Sequence, residues 1–81
     1  MKARITVTLK SGVLDPQGRA IANALNALGF GNVEDVRQGK LIEVKLKAVS
    51  EEEAREELDR MCRKLLANTV IENYRVELPS E

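Results

Sequence analysis

The nine residues Lys10-Ser11-Gly12-Val13-Leu14-Asp15-Pro16-Gln17-Gly18 constrain this chain more than any other stretch. Before them, residues 2–10 alternate strictly. Ala3, Ile5, Val7 and Leu9 point one way and Lys2, Arg4, Thr6, Thr8 and Lys10 the other, the pattern of a strand with one buried face. After them a helix must start: Asp15 suits the N-cap, and Pro16 suits the first helical position, where its missing N–H has no intrahelical partner. The junction carries two anomalies. Val13 and Leu14 are apolar in a loop that should be polar. Gly18 stands in the first helical turn, where alanine is better by about 1 kcal/mol. Both features point to a close neighbour at this place, and the expected neighbour is another protein chain.

Downstream, Ile21, Leu25 and Leu28 repeat at helical spacing with Ala20, Ala24 and Ala27 beside them. Gly29 should end the helix in the left-handed conformation, with Phe30 folding back on Leu25. Residues 33–37 read as a short second strand, and Gln38-Gly39-Lys40 as a hairpin turn. A third strand follows, with Ile42, Val44 and Leu46 inward and Glu43, Lys45 and Lys47 outward. Ser50-Glu51-Glu52-Glu53 has the form of a capping box. It opens a helix whose apolar stripe is Ala54, Leu58, Met61 and Leu65. Glu51–Arg55, Glu56–Arg60 and Asp59–Arg63 are pairs four residues apart in the favourable order. Asn68 is the expected C-terminal cap. Residues 71–78 form the last strand, with Tyr74, Val76 and Leu78 on one face and Pro79 ending it.

The order is βαββαβ. With right-handed crossovers it predicts an α+β two-layer sandwich of ferredoxin-like topology: a four-stranded antiparallel sheet with both helices on one face, as a single domain over 1–81. The last strand can pair within its own chain or be exchanged with a partner. At 81 residues the domain is marginal alone, and self-association is a common remedy.

The inventory for chemistry is thin. There is no histidine, and the single cysteine, Cys62, sits beside the apolar stripe as a packing residue. Metal binding lacks its ligands: no histidine, no C-x-x-C and no calcium-spaced acidic loop. The glutamates from Glu51 to Glu57 cluster at a helix start and read as a solvated face matched to the helix dipole. Gly29-Phe30-Gly31 follows a helix, whereas a dinucleotide fingerprint follows a strand. Thirteen basic side chains balance thirteen acidic ones, so no net charge draws the chain to nucleic acid or to an anionic membrane. An RNA-binding sheet of this topology stacks bases on aromatics, but Phe30 and Tyr74 are the only rings, and neither lies on the open face of the first strand. An acylphosphatase-like enzyme would want an arginine in the first loop, and none is there. No apolar run reaches the ~18 residues of a membrane span. The start Met1-Lys2-Ala3-Arg4 enters a strand rather than a signal-peptide core, and a cytoplasmic location is expected.

What remains is a module that works by contact. Its candidate contact residues are Gly12, Val13, Leu14, Asp15, Pro16 and Gly18 in the first loop; Arg37, Gly39 and Lys40 at the hairpin; and Leu66, Ala67 and Ile71 around the end of the second helix. No catalytic, cofactor-binding or metal-binding residue is assigned.

Three stretches carry a family resemblance: the Lys10 to Gly18 segment with Ala24-Leu25 and Leu28-Gly29; Val36-Arg37-Gln38-Gly39-Lys40; and Leu65-Leu66-Ala67-Asn68-Thr69-Val70-Ile71-Glu72-Asn73-Tyr74. Together they resemble PurS, the small subunit of phosphoribosylformylglycinamidine synthase, over nearly the whole chain. The chain departs at Thr69, where the family usually has proline. The resemblance implies an accessory subunit of an ATP-dependent C–N ligase of the glutamine amidotransferase type, in de novo purine biosynthesis. It implies self-association as a homodimer or tetramer, and partnership with a glutaminase subunit, PurQ, and a synthetase subunit, PurL. ATP and magnesium would be used by the complex, not by this chain. The alternative reading is a small dimeric ligand-binding regulatory domain of ferredoxin-like topology.

Overall fold

The structure is a computed structural model that describes residues 1–47 and 49–78. Its elements are β1 (Lys2–Leu9), α1 (Pro16–Ala27), β2 (Gly39–Lys45), α2 (Glu51–Met61) and β3 (Glu72–Glu77), and α2 runs on into a π-helical turn, Cys62–Leu66. The strands form one antiparallel sheet in the order β2-β1-β3. Ile5 stands opposite Ile42 on one side and Val76 on the other.

The alternation of β1 places its side chains as expected. Ala3, Ile5 and Val7 are buried, while Lys2, Arg4 and Thr8 are exposed. Leu58 and Cys62 of the α2 helix cover that buried face, and Ala54 is buried on the same helix. Tyr74 of β3 donates a short hydrogen bond from its hydroxyl to Asp59 Oδ1, which ties the sheet to α2. Ser50 caps α2 by accepting from the Glu53 N–H at 3.2 Å. Two of the expected pairs form, Arg55 with Glu51 at 3.1 Å and Arg63 with Asp59 at 2.6 Å.

The end of α2 departs from the expected stripe. The Ala67 N–H reaches back five residues to the Cys62 carbonyl at 2.9 Å. Cys62 is buried, continuing the four-residue spacing of Ala54 and Leu58, while Leu65 lies in the wide turn and is exposed. Asn68 does not cap the helix. Ala67 is already extended, and Asn68 builds the next turn: its Oδ1 accepts from Val70 N–H, and its carbonyl from Ile71 and Glu72 N–H. The expected strand stop, Pro79, lies outside the described residues.

The larger correction concerns the first half. Among the described residues there are three strands, not four, and residues 33–37 are not one of them. Their polar groups are engaged elsewhere. Asn26 Nδ2 on α1 donates to the Val33 carbonyl at 3.2 Å, and Asp15 takes the Gln38 N–H. The segment therefore lies along α1 instead of joining a ladder. Gly39 is not the middle of a hairpin turn; it opens β2, opposite Thr8. Thus β1 and β2 are hairpin partners whose connection, residues 10–38, holds an entire helix. That helix does not share the sheet face with α2. It makes no extended contact with any strand and stands off the body as an arm. The molecule measures 49 × 29 × 14 Å with a radius of gyration of 16.1 Å. A compact domain of this length has about 12 Å.

Candidate functional site

The base of the arm is a small network of hydrogen bonds. Asp15 is the N-cap of α1, with Pro16 next to it. One carboxylate oxygen, Oδ1, accepts from the Gly18 N–H at 2.9 Å. The other, Oδ2, accepts from the Gln38 N–H at 2.6 Å, where the chain re-enters the sheet. The N–H groups of Gln38 and Gly18 together hold the Asp15 carboxyl below its ordinary range, and the charge of Arg37 acts in the same direction. Arg37 Nη2 donates to the Lys10 carbonyl at 3.2 Å, and the Lys10 N–H donates to the Ile71 carbonyl at 2.8 Å. Lys40 Nζ lies 3.8 Å from Glu72 Oε2 across the end of the sheet. Folding therefore collects the first loop, the 37–40 segment and Ile71 at one end of the sheet, although the sequence separates them.

Gly18 has a close neighbour, but it belongs to the same chain. A Cβ built on Gly18 would lie 2.1 Å from the Val36 carbonyl oxygen. The glycine is what lets the returning segment lie against α1. At the far end the helix closes as expected. Gly29 has φ 104°, Phe30 N–H donates to Leu25 O at 3.0 Å, and Gly29 N–H to Asn26 O at 3.1 Å, a complete Schellman motif.

The remaining predicted contact residues divide. Gly12 and Pro16 are exposed, Val13 is half-buried, and Leu14 is 82% exposed. Arg37, Gly39, Lys40 and Ile71 are on the surface. Ala67 is buried in the core, and so offers no contact surface. Leu66 is half-buried and lines an apolar groove of about 480 Å³ between β2 and the end of α2, with Val44, Met61 and Leu65. Ile21, Leu25 and Leu28 repeat at helical spacing and, with both helices expected on the sheet, are not among the predicted contact residues. In the structure Leu28 is 74% exposed, Phe30 58% and Ile21 40%, so they belong to the candidate surface. The helical period carried that signal but could not say which partner the stripe meets.

Other reactive groups are structural. Cys62 is buried, and burial together with the charge of Asp59 pushes its thiol pKa up, away from the nucleophilic thiolate. Acceptance by Asp59 pushes the Tyr74 hydroxyl pKa up as well. No cluster of metal ligands occurs among the described residues, and no described helix is long and apolar enough to cross a membrane.

Comparison with known proteins bears on what the arm serves. Residues 2–80 match the family model described as PurS: phosphoribosylformylglycinamidine (FGAM) synthase. The phosphoribosylformylglycinamidine synthase subunit PurS of Synechocystis sp. is 53% identical over 75 residues, covering 93% of this chain and 75% of that one. The crystal structure of PurS from Methanocaldococcus jannaschii superposes with a TM-score of 0.85 at 47% identity, covering 94% of this chain and 92% of that one. A chain in the structure of PurLQS from Thermotoga maritima gives 0.85 at 36% identity, with 94% and 93% covered. The chain belongs to the PurS family and is a subunit of phosphoribosylformylglycinamidine synthase, the ligase of purine biosynthesis.

Proposed function

We propose that this subunit works by apposition: it joins a glutaminase subunit, PurQ, to an ATP-dependent synthetase subunit, PurL, so that ammonia from glutamine reaches formylglycinamide ribonucleotide. ATP and magnesium act in the synthetase partner, and the assembly works in the cytoplasm. Ammonia free in water near neutral pH is mostly protonated and no longer a nucleophile. A joint that excludes water preserves it. One observation carries this reading: a helix stands off the sheet with Leu28, Phe30 and Ile21 open to solvent. Isolated helices of this length are marginal in water, so such an arm is expected to gain its order from what it docks on. The PurLQS complex of a relative supplies a precedent for the partners.

The same surface favours self-association as a dimer or tetramer, and Leu14, Arg37 and Lys40 at its base belong to the contact region. Exchange of β3 between copies would break the β1–β3 ladder only to rebuild it in the partner, through the turn that Asn68 organises. The proposed assembly therefore keeps β3 in its own chain.

The test is reconstitution from purified glutaminase, synthetase and this chain. Omitting the chain should abolish glutamine-dependent synthesis while leaving the rate with added ammonium salt in place. Leu28→Asp should mimic the omission. Equal glutamine-dependent rates with and without the chain would overturn the proposal.

A further inference from the structure

The chain crosses between sheet and arm twice, near residues 10–15 and again at 37–39, and hydrogen bonds join both crossings. Capping α1 requires a single acceptor, and Asn or Ser serves at an N-cap about as well as Asp. Asp15 does more: Oδ1 takes the Gly18 N–H at 2.9 Å, and Oδ2 takes the Gln38 N–H at 2.6 Å, where β2 is about to begin. One rigid carboxylate thus fixes the start of the helix to the end of its return path. Arg37, next to Gln38, ties the return path to the Lys10 carbonyl at 3.2 Å, and Lys10 is bonded in turn to the turn before β3 at 2.8 Å. At Gly18 the Val36 carbonyl sits where a Cβ would be 2.1 Å away, so helix and return segment touch directly. These contacts triangulate the arm against the sheet, beside apolar residues that are only half-buried at Val13 and Val36.

We propose that Asp15 and Arg37 form a polar joint that fixes the angle of the arm to the sheet, so that the arm is presented to its partner in one pose. The docking role rests on the reading of the arm given above; the joint itself does not. A charge-assisted bond at this place is short and directional. It sets an angle more sharply than loose apolar contact does.

Two substitutions separate the joint from the cap. Asp15→Asn keeps a capping oxygen but turns an amide NH₂ toward the Gln38 N–H. Asp15→Ser caps the helix but is too short to reach Gln38. Nitroxides placed through Asn23→Cys on α1 and Arg75→Cys on β3, in labelled protein diluted with unlabelled protein, report the angle as a distance distribution. The unmodified joint should give one narrow distribution, and both variants a broad one, with helical circular dichroism retained. The Gln38 amide should exchange about tenfold faster in both, the scale of losing one hydrogen bond to a charged group. Narrow distributions in both variants would overturn the proposal. So would loss of the α1 signal in Asp15→Asn, because the carboxylate would then serve only the helix. If the distribution broadens and reconstituted glutamine-dependent activity does not fall, the joint is upheld, and the docking role of the arm is what fails.

Discussion

Gly18 shows how a single position can oppose its own propensity. Alanine there would favour the helix by about 1 kcal/mol. Its Cβ would lie 2.1 Å from a backbone oxygen, Val36 O, which cannot rotate away as a side chain can. Overpacking of this kind costs about 1–3 kcal/mol and exceeds the propensity gain. Gly18→Ala should therefore lower the urea midpoint and deprotect the amides of residues 33–38, with the helix itself intact. A raised midpoint would show that the return segment yields freely. Asp15 makes a prediction of the opposite chemical kind. Its folded pKa lies below its ordinary 3.8, so its contribution is complete above that value and disappears as pH falls through the lower, folded value. Acid titration below pH 3.8 should loosen the arm, followed at the Gln38 amide, and Asp15→Asn should remove that pH dependence.

At the scale of elements, several local rules read correctly, although Asn68 does not cap α2 and Gly39 is not a turn residue. Asp15-Pro16 starts α1, Gly29-Phe30 ends it, Ser50 starts α2, and the period-two pattern of residues 2–9 chooses the buried face of β1. The expectation that α1 shares a sheet face with α2 fails, because the sequence pattern does not say where α1 goes. A stripe of Ile21, Leu25 and Leu28 states that something covers it, and covering by the chain's own sheet and covering by a partner leave the same pattern. The 33–37 segment misled for a related reason. Its apolar residues suit an extended chain, but an extended chain that lies along a helix and one that pairs in a ladder have the same composition, and only Gly18 and Asn26 distinguish them. Exposed apolar side chains stand at Leu14, which is out of character for a loop residue, and at Leu28 and Phe30, which are not among the expected contact residues because one closes the helical repeat and the other its Schellman cap. The sheet-covering helix and the base of the arm should respond differently to damage. Leu58→Ala opens a hole in a fully buried site and should cost about 2–5 kcal/mol at any protein concentration. Leu14→Asp, at a residue 82% exposed, should leave the single chain's stability nearly unchanged and weaken association instead. Equal losses in both would place Leu14 in a core that the fold does not have.

The whole molecule is long for its mass. Its radius of gyration of 16.1 Å exceeds the roughly 12 Å of a compact domain, because α1 does not lie on the sheet. The core is correspondingly small, centred on Ala3, Ile5, Val7, Leu58 and Cys62. On the proposed docking of the arm, the chain gains stability from its contacts, so its melting temperature should depend on who is present. Binding that occurs only to the folded state stabilises by about 2.7 kcal/mol when the partner stands at a hundred times its dissociation constant. In a domain of this size each kcal/mol moves Tm by roughly 4–8 °C. Raising the concentration of the isolated chain from below to well above its self-association constant should therefore lift Tm by about 10 °C or more, and saturating glutaminase or synthetase subunit should lift it further. Leu14→Asp should flatten the concentration dependence without lowering its dilute limit, whereas Leu58→Ala should lower the dilute limit and keep the slope. A Tm that is high when dilute and indifferent to concentration and to partners would mean that the arm is stable bare. Burial by another chain would then not be what orders it.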